Sequence, residues 1–173
     1  ADPVGNASGT VYVLFGGGSS GSLGDADLIV NGNTGFNYTG TGLGGGNLVG
    51  PSGGYSDVLI GAPGNDIGGA NTGTIWIVEG AVSTGEISVG SLGNYVTGQS
   101  PEDGIGMAFD VLDLNGDGQD DLVVGTGNSS EGGASAGIVH VAYGPISGAH
   151  SLYSPDYYCT GESASDKFGD SVT

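Results

Sequence analysis

Basic residues are almost missing from this chain: Lys167 is the single one among 173 residues, and no arginine occurs. Nineteen acidic residues leave a formal net charge of −18. A nucleic-acid binder needs a basic face to displace counterions, so that class is excluded. Anionic membrane surfaces and phosphorylated substrates are poor partners for the same reason. Long apolar runs are missing too. No stretch approaches the roughly 20 residues of a membrane-spanning helix, so no membrane insertion is expected. The N-terminal Ala1-Asp2-Pro3 shows no basic segment followed by an apolar core. It reads as a mature start from which a leader was removed, or as part of something longer. A single cysteine, Cys159, precludes an intrachain disulfide. It is expected to be a small buried hydrophobe, or half of a bridge to another chain.

Glycine is abundant, at 40 residues, with 6 prolines. Each glycine inside a helix costs about 1 kcal/mol relative to alanine, so a helical bundle is excluded. The hydrophobic residues, 36% of the chain, come in short runs such as Val11-Tyr-Val-Leu-Phe15, which argues against disorder. These runs repeat. Gly9-Thr-Val-Tyr-Val-Leu-Phe-Gly16 returns as Gly73-Thr-Ile-Trp-Ile-Val-Glu-Gly80 and as Gly137-Ile-Val-His-Val-Ala-Tyr-Gly144, two equal steps of 64. Asp57-Val-Leu-Ile-Gly-Ala-Pro63 returns as Asp121-Leu-Val-Val-Gly-Thr126, again 64 later. Gly35-Phe36, Ile105-Gly106 and Phe168-Gly169 form a third set. Tyr95-Val-Thr-Gly98 and Tyr158-Cys-Thr-Gly161 form a fourth, with Ile29-Val-Asn-Gly32 as a weaker copy. Internal periods of this size mark repeat architectures.

Each element is four to seven residues of Val, Ile and aromatics bounded by Gly, Asn, Asp or Ser, the signature of a strand. Four strands per period imply one antiparallel sheet per repeat. The continuous apolar runs imply burial on both sheet faces, as in radially stacked propeller blades. The order Phe-Gly, Asp-rich loop, Asp-hydrophobic-hydrophobic-Ile-Gly-Ala-Pro, Gly-Thr-Val-Tyr-Val resembles the FG-GAP repeat. That repeat forms the β-propeller of integrin α subunits and occurs in many secreted bacterial proteins. Its naming motifs stand at Phe168-Gly169 and Gly61-Ala62-Pro63; Gly125-Thr126 departs from the second, and Ile105-Gly106 and Phe36-Asn37 from the first.

The expected fold is therefore all-β: four-stranded antiparallel blades of an FG-GAP β-propeller, about three blades' worth. Residues 1–27 would end one blade, 28–97 form a second, 98–160 a third, and 161–173 the first strand of another. Propellers close with at least about four blades. The chain is thus expected to belong to a longer propeller, or to complete its sheets with strands from other chains, since an unpaired edge is a template for another strand.

The sharpest chemical motif is Asp113-Leu-Asn-Gly-Asp-Gly-Gln-Asp-Asp121. Alternation brings the side-chain oxygens of Asp113, Asn115 and Asp117 toward one point. Gly116 and Gly118 permit positive φ. With the Gln119 carbonyl and the Asp121 carboxylate this is an all-oxygen set suited to Ca²⁺. The resemblance gives the same loop the same role, joining the first and second strands of a blade and holding calcium. The competing reading is a polar β-turn without metal, because Asn-Gly and Asp-Gly are ordinary hairpin signals. Asp120 is expected to face solvent. The corresponding loop of the preceding repeat, residues 46–57, has lost its acids except Asp57 and is expected to hold no calcium.

Three glycosylation sequons begin at Asn6, Asn37 and Asn128, with Asn37 placed in a strand and least accessible. A surface of Ser, Thr, Asn and Gly fits an extracellular or cell-surface glycoprotein. His140 alternates into a strand as a packing residue, and His150 lies in a Ser/Gly loop without a partner. No Gly-X-Ser-X-Gly or His-Glu-X-X-His motif occurs. The expected function is non-enzymatic: a calcium-binding scaffold for assembly into a surface fibre or layer, or for adhesion. Its partners would be other protein chains, above all copies of itself, or glycans. The alternatives are an accessory propeller of a larger secreted hydrolase, or a ligand-binding receptor.

Overall fold

A computed structural model describes residues 5–16, 22–50, 55–80 and 84–173. Among them are twelve short strands and two single-turn 3₁₀ helices, with no helix long and apolar enough to cross a membrane. The strands are β1 Thr10–Val13, β2 Leu28–Asn31, β3 Leu43–Gly46, β4 Asp57–Ala62, β5 Thr74–Val78 and β6 Gly85–Ser88. They continue as β7 Asn94–Thr97, β8 Ala108–Leu112, β9 Asp121–Thr126, β10 Ile138–Ala142, β11 Ala149–Ser151 and β12 Tyr157–Thr160.

Three sheets result. The third contains β8, β9, β10 and β12 as neighbours in an antiparallel sheet, the blade expected from the sequence. The second has the same four-strand core, β3-β4-β5-β7, and the first holds β1 and β2, the counterparts of the last two strands. Strand β2, which a boundary at residue 28 gives to the second blade, pairs with β1 instead. Thr10 through Val13 lie opposite Asn31 through Leu28.

The second sheet is buried on both faces, which is why β5 reads as an unbroken apolar run. Leu59, Ile75, Ile77 and Val96 pack with Leu122 and Val124 of the third sheet. Ile60, Trp76 and Val78 pack with Val11, Leu28 and Val30 of the first. Burying each such side chain contributes about 1.5–3 kcal/mol. Trp76 also lies against Tyr95, with ring centroids 5.2 Å apart.

Four strands per repeat is one too few. Strand β6 leaves the second sheet and pairs in parallel with β2, the outer strand of the first. Strand β11 leaves the third sheet and pairs in parallel with β7, the outer strand of the second. Each repeat thus straps the edge of the repeat before it. His150 stands in β11, in strand conformation and not in a loop as expected.

The copies of Phe-Gly also need realignment. Ile105 bridges Gly73, and Phe168 bridges Gly137. At Gly9 the corresponding neighbour is Thr39: a Cβ on Gly9 would strike its backbone, as Cβ atoms on Gly73 and Gly137 would strike Ile105 and Phe168. Gly40, Gly106 and Gly169 follow, with φ of 93°, 105° and 82°. The structural equivalent is therefore Thr39-Gly40, a few residues beyond Phe36. Asn37 lies in a loop and not in a strand, although it is buried. Cys159, expected to be buried, is exposed on β12.

Candidate metal centre

The loop from Asp113 to Asp120 joins β8 to β9, neighbouring antiparallel strands of the third sheet. Gly116 and Gly118 turn it, at φ 79° and 90°, with open space where a Cβ would stand. The side chains of Asp113, Asn115 and Asp117 organise the turn. Asp113 accepts the backbone N–H groups of Gly116, Asp117 and Gly118 at 2.7, 3.1 and 2.9 Å. Asn115 accepts from the Asp117 N–H and donates its amide to the Asp117 carboxylate at 2.9 Å. Asp117 in turn accepts the Gln119 N–H at 2.8 Å. Residues 113–118 are solvent-exposed.

Asp121 differs from these. It is fully buried at the start of β9. One carboxylate oxygen accepts the N–H groups of Leu114 and Asn115, and the other accepts Gly144 N–H at 2.9 Å. Asp57 does the same one repeat earlier, accepting from Leu48, Val49 and Gly80. The aspartate that opens the second strand therefore ties the preceding loop to the glycine after the third strand, in both repeats. Among the described residues, no three His, Cys, Asp or Glu side chains are gathered closely enough to hold a metal.

The donor chemistry nonetheless fits a hard cation. Asp113, Asn115, Asp117 and Asp121 offer oxygen, and a carboxylate carries about four lone-pair sites, so accepting N–H bonds does not exhaust it. Asp120, expected to face solvent, accepts the Asn47 N–H at 2.7 Å and so ties this hairpin to the loop after β3.

Other candidates fall elsewhere. Asn6 and Asn128 are exposed, and Asn128 accepts a hydrogen bond from Lys167 Nζ. His140 is buried 6.4 Å from the Tyr158 ring, and burial lowers its pKa to about 4. Sequence reasoning missed Asp103. It is buried, and it lines two hollows of about 270 and 320 Å³ between residues 100–108 and 125–131. Burial raises its pKa, with the Ser100 N–H at 2.8 Å opposing the shift. The Ser-Pro-Glu-Asp stretch before Gly104 was its signal: the same Ser-to-Asp bond recurs at Ser163 and Asp166.

Residues 105–141 match the FG-GAP repeat family. The matched segment begins at Ile105-Gly106 and takes in β8, the aspartate loop, β9 and most of β10. No curated protein matches the chain. The fold and this match agree: antiparallel sheets stacked as in an incomplete β-propeller, with an FG-GAP repeat at the third. FG-GAP repeats are common in extracellular proteins.

Proposed function

We propose that this chain is a non-enzymatic, calcium-binding propeller-type scaffold, acting outside the cell by assembling with copies of itself into a fibre or layer. The observation that carries the reading is the exposed loop of oxygen donors on a β-hairpin inside the FG-GAP match. Asp113, Asn115, Asp117, the Gln119 carbonyl and Asp121 would hold the ion. A bound Ca²⁺ supplies positive charge that offsets carboxylate repulsion. The protein's own contribution is the network of N–H bonds that shapes the turn before any ion arrives. In this reading His140 is a packing residue, in keeping with its burial and its place beside the Tyr158 ring.

Light scattering and electron microscopy of the chain, with calcium and after chelation, test this reading. Particles larger than a monomer that shrink on chelation are expected. A monomer indifferent to chelator would overturn it.

A further inference from the structure

The second and third repeats treat one corner of the fold in opposite ways. Tyr38 and Gly104 are equivalent: each directly precedes the bridging position, Thr39 or Ile105. Their N–H groups donate to Ala7 O and Asn71 O, each two residues before a third-strand glycine. Both are left-handed, at φ 55° and 62°. In the second repeat the Tyr38 ring lies over Gly64, where a Cβ would stand 3.2 Å from Cδ2. Gly64 follows Ala62 and Pro63. One period of 64 later these three positions are Thr126, Gly127 and Asn128, and Gly104 supplies no ring. Asp170 replaces Met107 after the conserved-in-place glycine, and its carboxylate stands where a Cβ on Gly127 would be. A corner closed by apolar groups has become an open one with polar walls.

Asp103, Thr126, Asn128 and Asp170 line the hollow of about 270 Å³ there. Glu102 and Glu131 line the neighbouring one of about 320 Å³, which shares Asp103 and Asn128. The walls are loops and strand ends of the third repeat, with Gly169 packed on Gly125 as Gly106 packs on Gly61. Two groups in them lack what they need. The Asp103 carboxyl is buried, and the charge beside it, Glu131, is of its own sign. The Thr126 hydroxyl is buried on the face of β9 that carries Leu122 and Val124, and it has no hydrogen-bond partner. A buried polar group in that state calls for a partner from outside the fold. Lys167, the single basic side chain, donates to Asn128, so the rim already accepts an ammonium group.

We propose that this hollow binds a small organic cation bearing N–H donors, a protonated amine or a guanidinium group, held by Asp103, Asp170 and the Thr126 hydroxyl. Four carboxylates around the two hollows reject an anion. A bare metal ion fits poorly, because no three acidic side chains gather closely enough among the described residues and the space far exceeds the roughly 30 Å³ of one water. No aromatic ring lines either hollow to stack a sugar. An N–H cation satisfies carboxylates and hydroxyl together, through charge-assisted hydrogen bonds. The cation is either a free small molecule or the tip of a lysine or arginine on another protein. The site is separate from the aspartate loop and does not depend on calcium there.

The test is titration of the full chain with methylguanidinium, followed by backbone amide NMR shifts in chelator and in about 0.15 M salt, which screens the exposed carboxylates. Saturable shifts centred on Gly104, Thr126, Gly127 and Asn128 are expected, with a dissociation constant of roughly millimolar order. The variants come from the chain's own second repeat, so the fold accommodates each residue type at that place. Gly104→Tyr closes the hollow and is expected to abolish the shifts. Thr126→Ala and Asp103→Asn are expected to weaken binding, the latter at least about tenfold. Shifts spread over the whole acidic surface, shifts that survive Gly104→Tyr, or the same amides answering to calcium and not to methylguanidinium would each overturn the site. A second arm compares methylguanidinium with the peptide acetyl-Gly-Arg-Gly-amide. Tighter binding of the peptide identifies a protein side chain as the source, and equal or weaker binding a free small cation.

Discussion

Gly61 of β4 lies directly against the carbonyl of Gly106, at the start of the next repeat. A Cβ on Gly61 would collide with that backbone oxygen, and Gly125 stands in the same relation to Gly169. The next-to-last residue of the second strand, a glycine in both repeats, and the glycine of the following Phe-Gly position are therefore two halves of one contact between successive repeats. No side chain can be rotated away to relieve it.

Gly61→Ala is expected to destabilise the fold by about 2–3 kcal/mol, the cost of forcing atoms into a packed contact. Gly116→Ala, at positive φ but in open space, is expected to cost only about 1 kcal/mol. Urea denaturation of both variants checks the order, and equal losses would contradict a steric origin at Gly61.

Asp57 and Asp121 each satisfy three backbone N–H groups while buried. Truncating either leaves those donors without a partner, at a cost of about 3 kcal/mol or more. Asp57→Ala is expected to lose this stability equally with and without calcium. Asp121→Ala is expected to lose more in calcium, because it also removes a donor to the ion. Thermal melts in calcium and in chelator separate the two.

His140 gives the molecule an acid-sensitive component. Its folded-state pKa is depressed from 6.5 to about 4 by burial. Above pH 6.5 both states are neutral at this site and it contributes nothing. As pH falls toward 4 the unfolded chain takes up a proton that the folded chain refuses, so stability is lost, by about 3 kcal/mol at the limit. His140→Phe is expected to remove that loss. Comparing the two proteins between pH 7 and pH 4 tests this, and parallel curves would contradict it.

In the proposed assembly, copies that each carry a charge of −18 would meet against long-range repulsion. Raising salt screens exposed charges. Chain length at fixed protein concentration is therefore expected to grow with sodium chloride. A decrease would point to an attractive ionic contact between copies.

Much of the architecture was legible because the strands repeat by residue type. Gly9, Gly73 and Gly137 mark the third strands, and Asp57 and Asp121 open the second ones, because a steric clash and a buried carboxylate leave few alternatives. The first Phe-Gly copy was misplaced because the position needs only a glycine at positive φ after a residue that bridges through its backbone. Thr39-Gly40 meets that need without an aromatic ring. The straps β6 and β11 were illegible because Gly85-Glu-Ile-Ser88 and Ala149-His-Ser151 share no side-chain pattern and pair through backbone. The apolar residue after each strap, Val89 or Leu152, was the available signal. Asp120 was misjudged because strand alternation does not extend into a loop that meets a neighbouring sheet. The aspartate loop was legible as chemistry, but not the burial that gives Asp121 a second task.

The central claim is that calcium clamps the β8–β9 hairpin through Asp113, Asn115 and Asp117. Isothermal titration of the chelator-treated protein with Ca²⁺ addresses it most directly. One site per chain is expected, abolished by combining Asp113→Ala with Asp117→Ala and retained in Asp57→Asn. Absence of binding in the wild type, or binding that survives the double substitution, would contradict it.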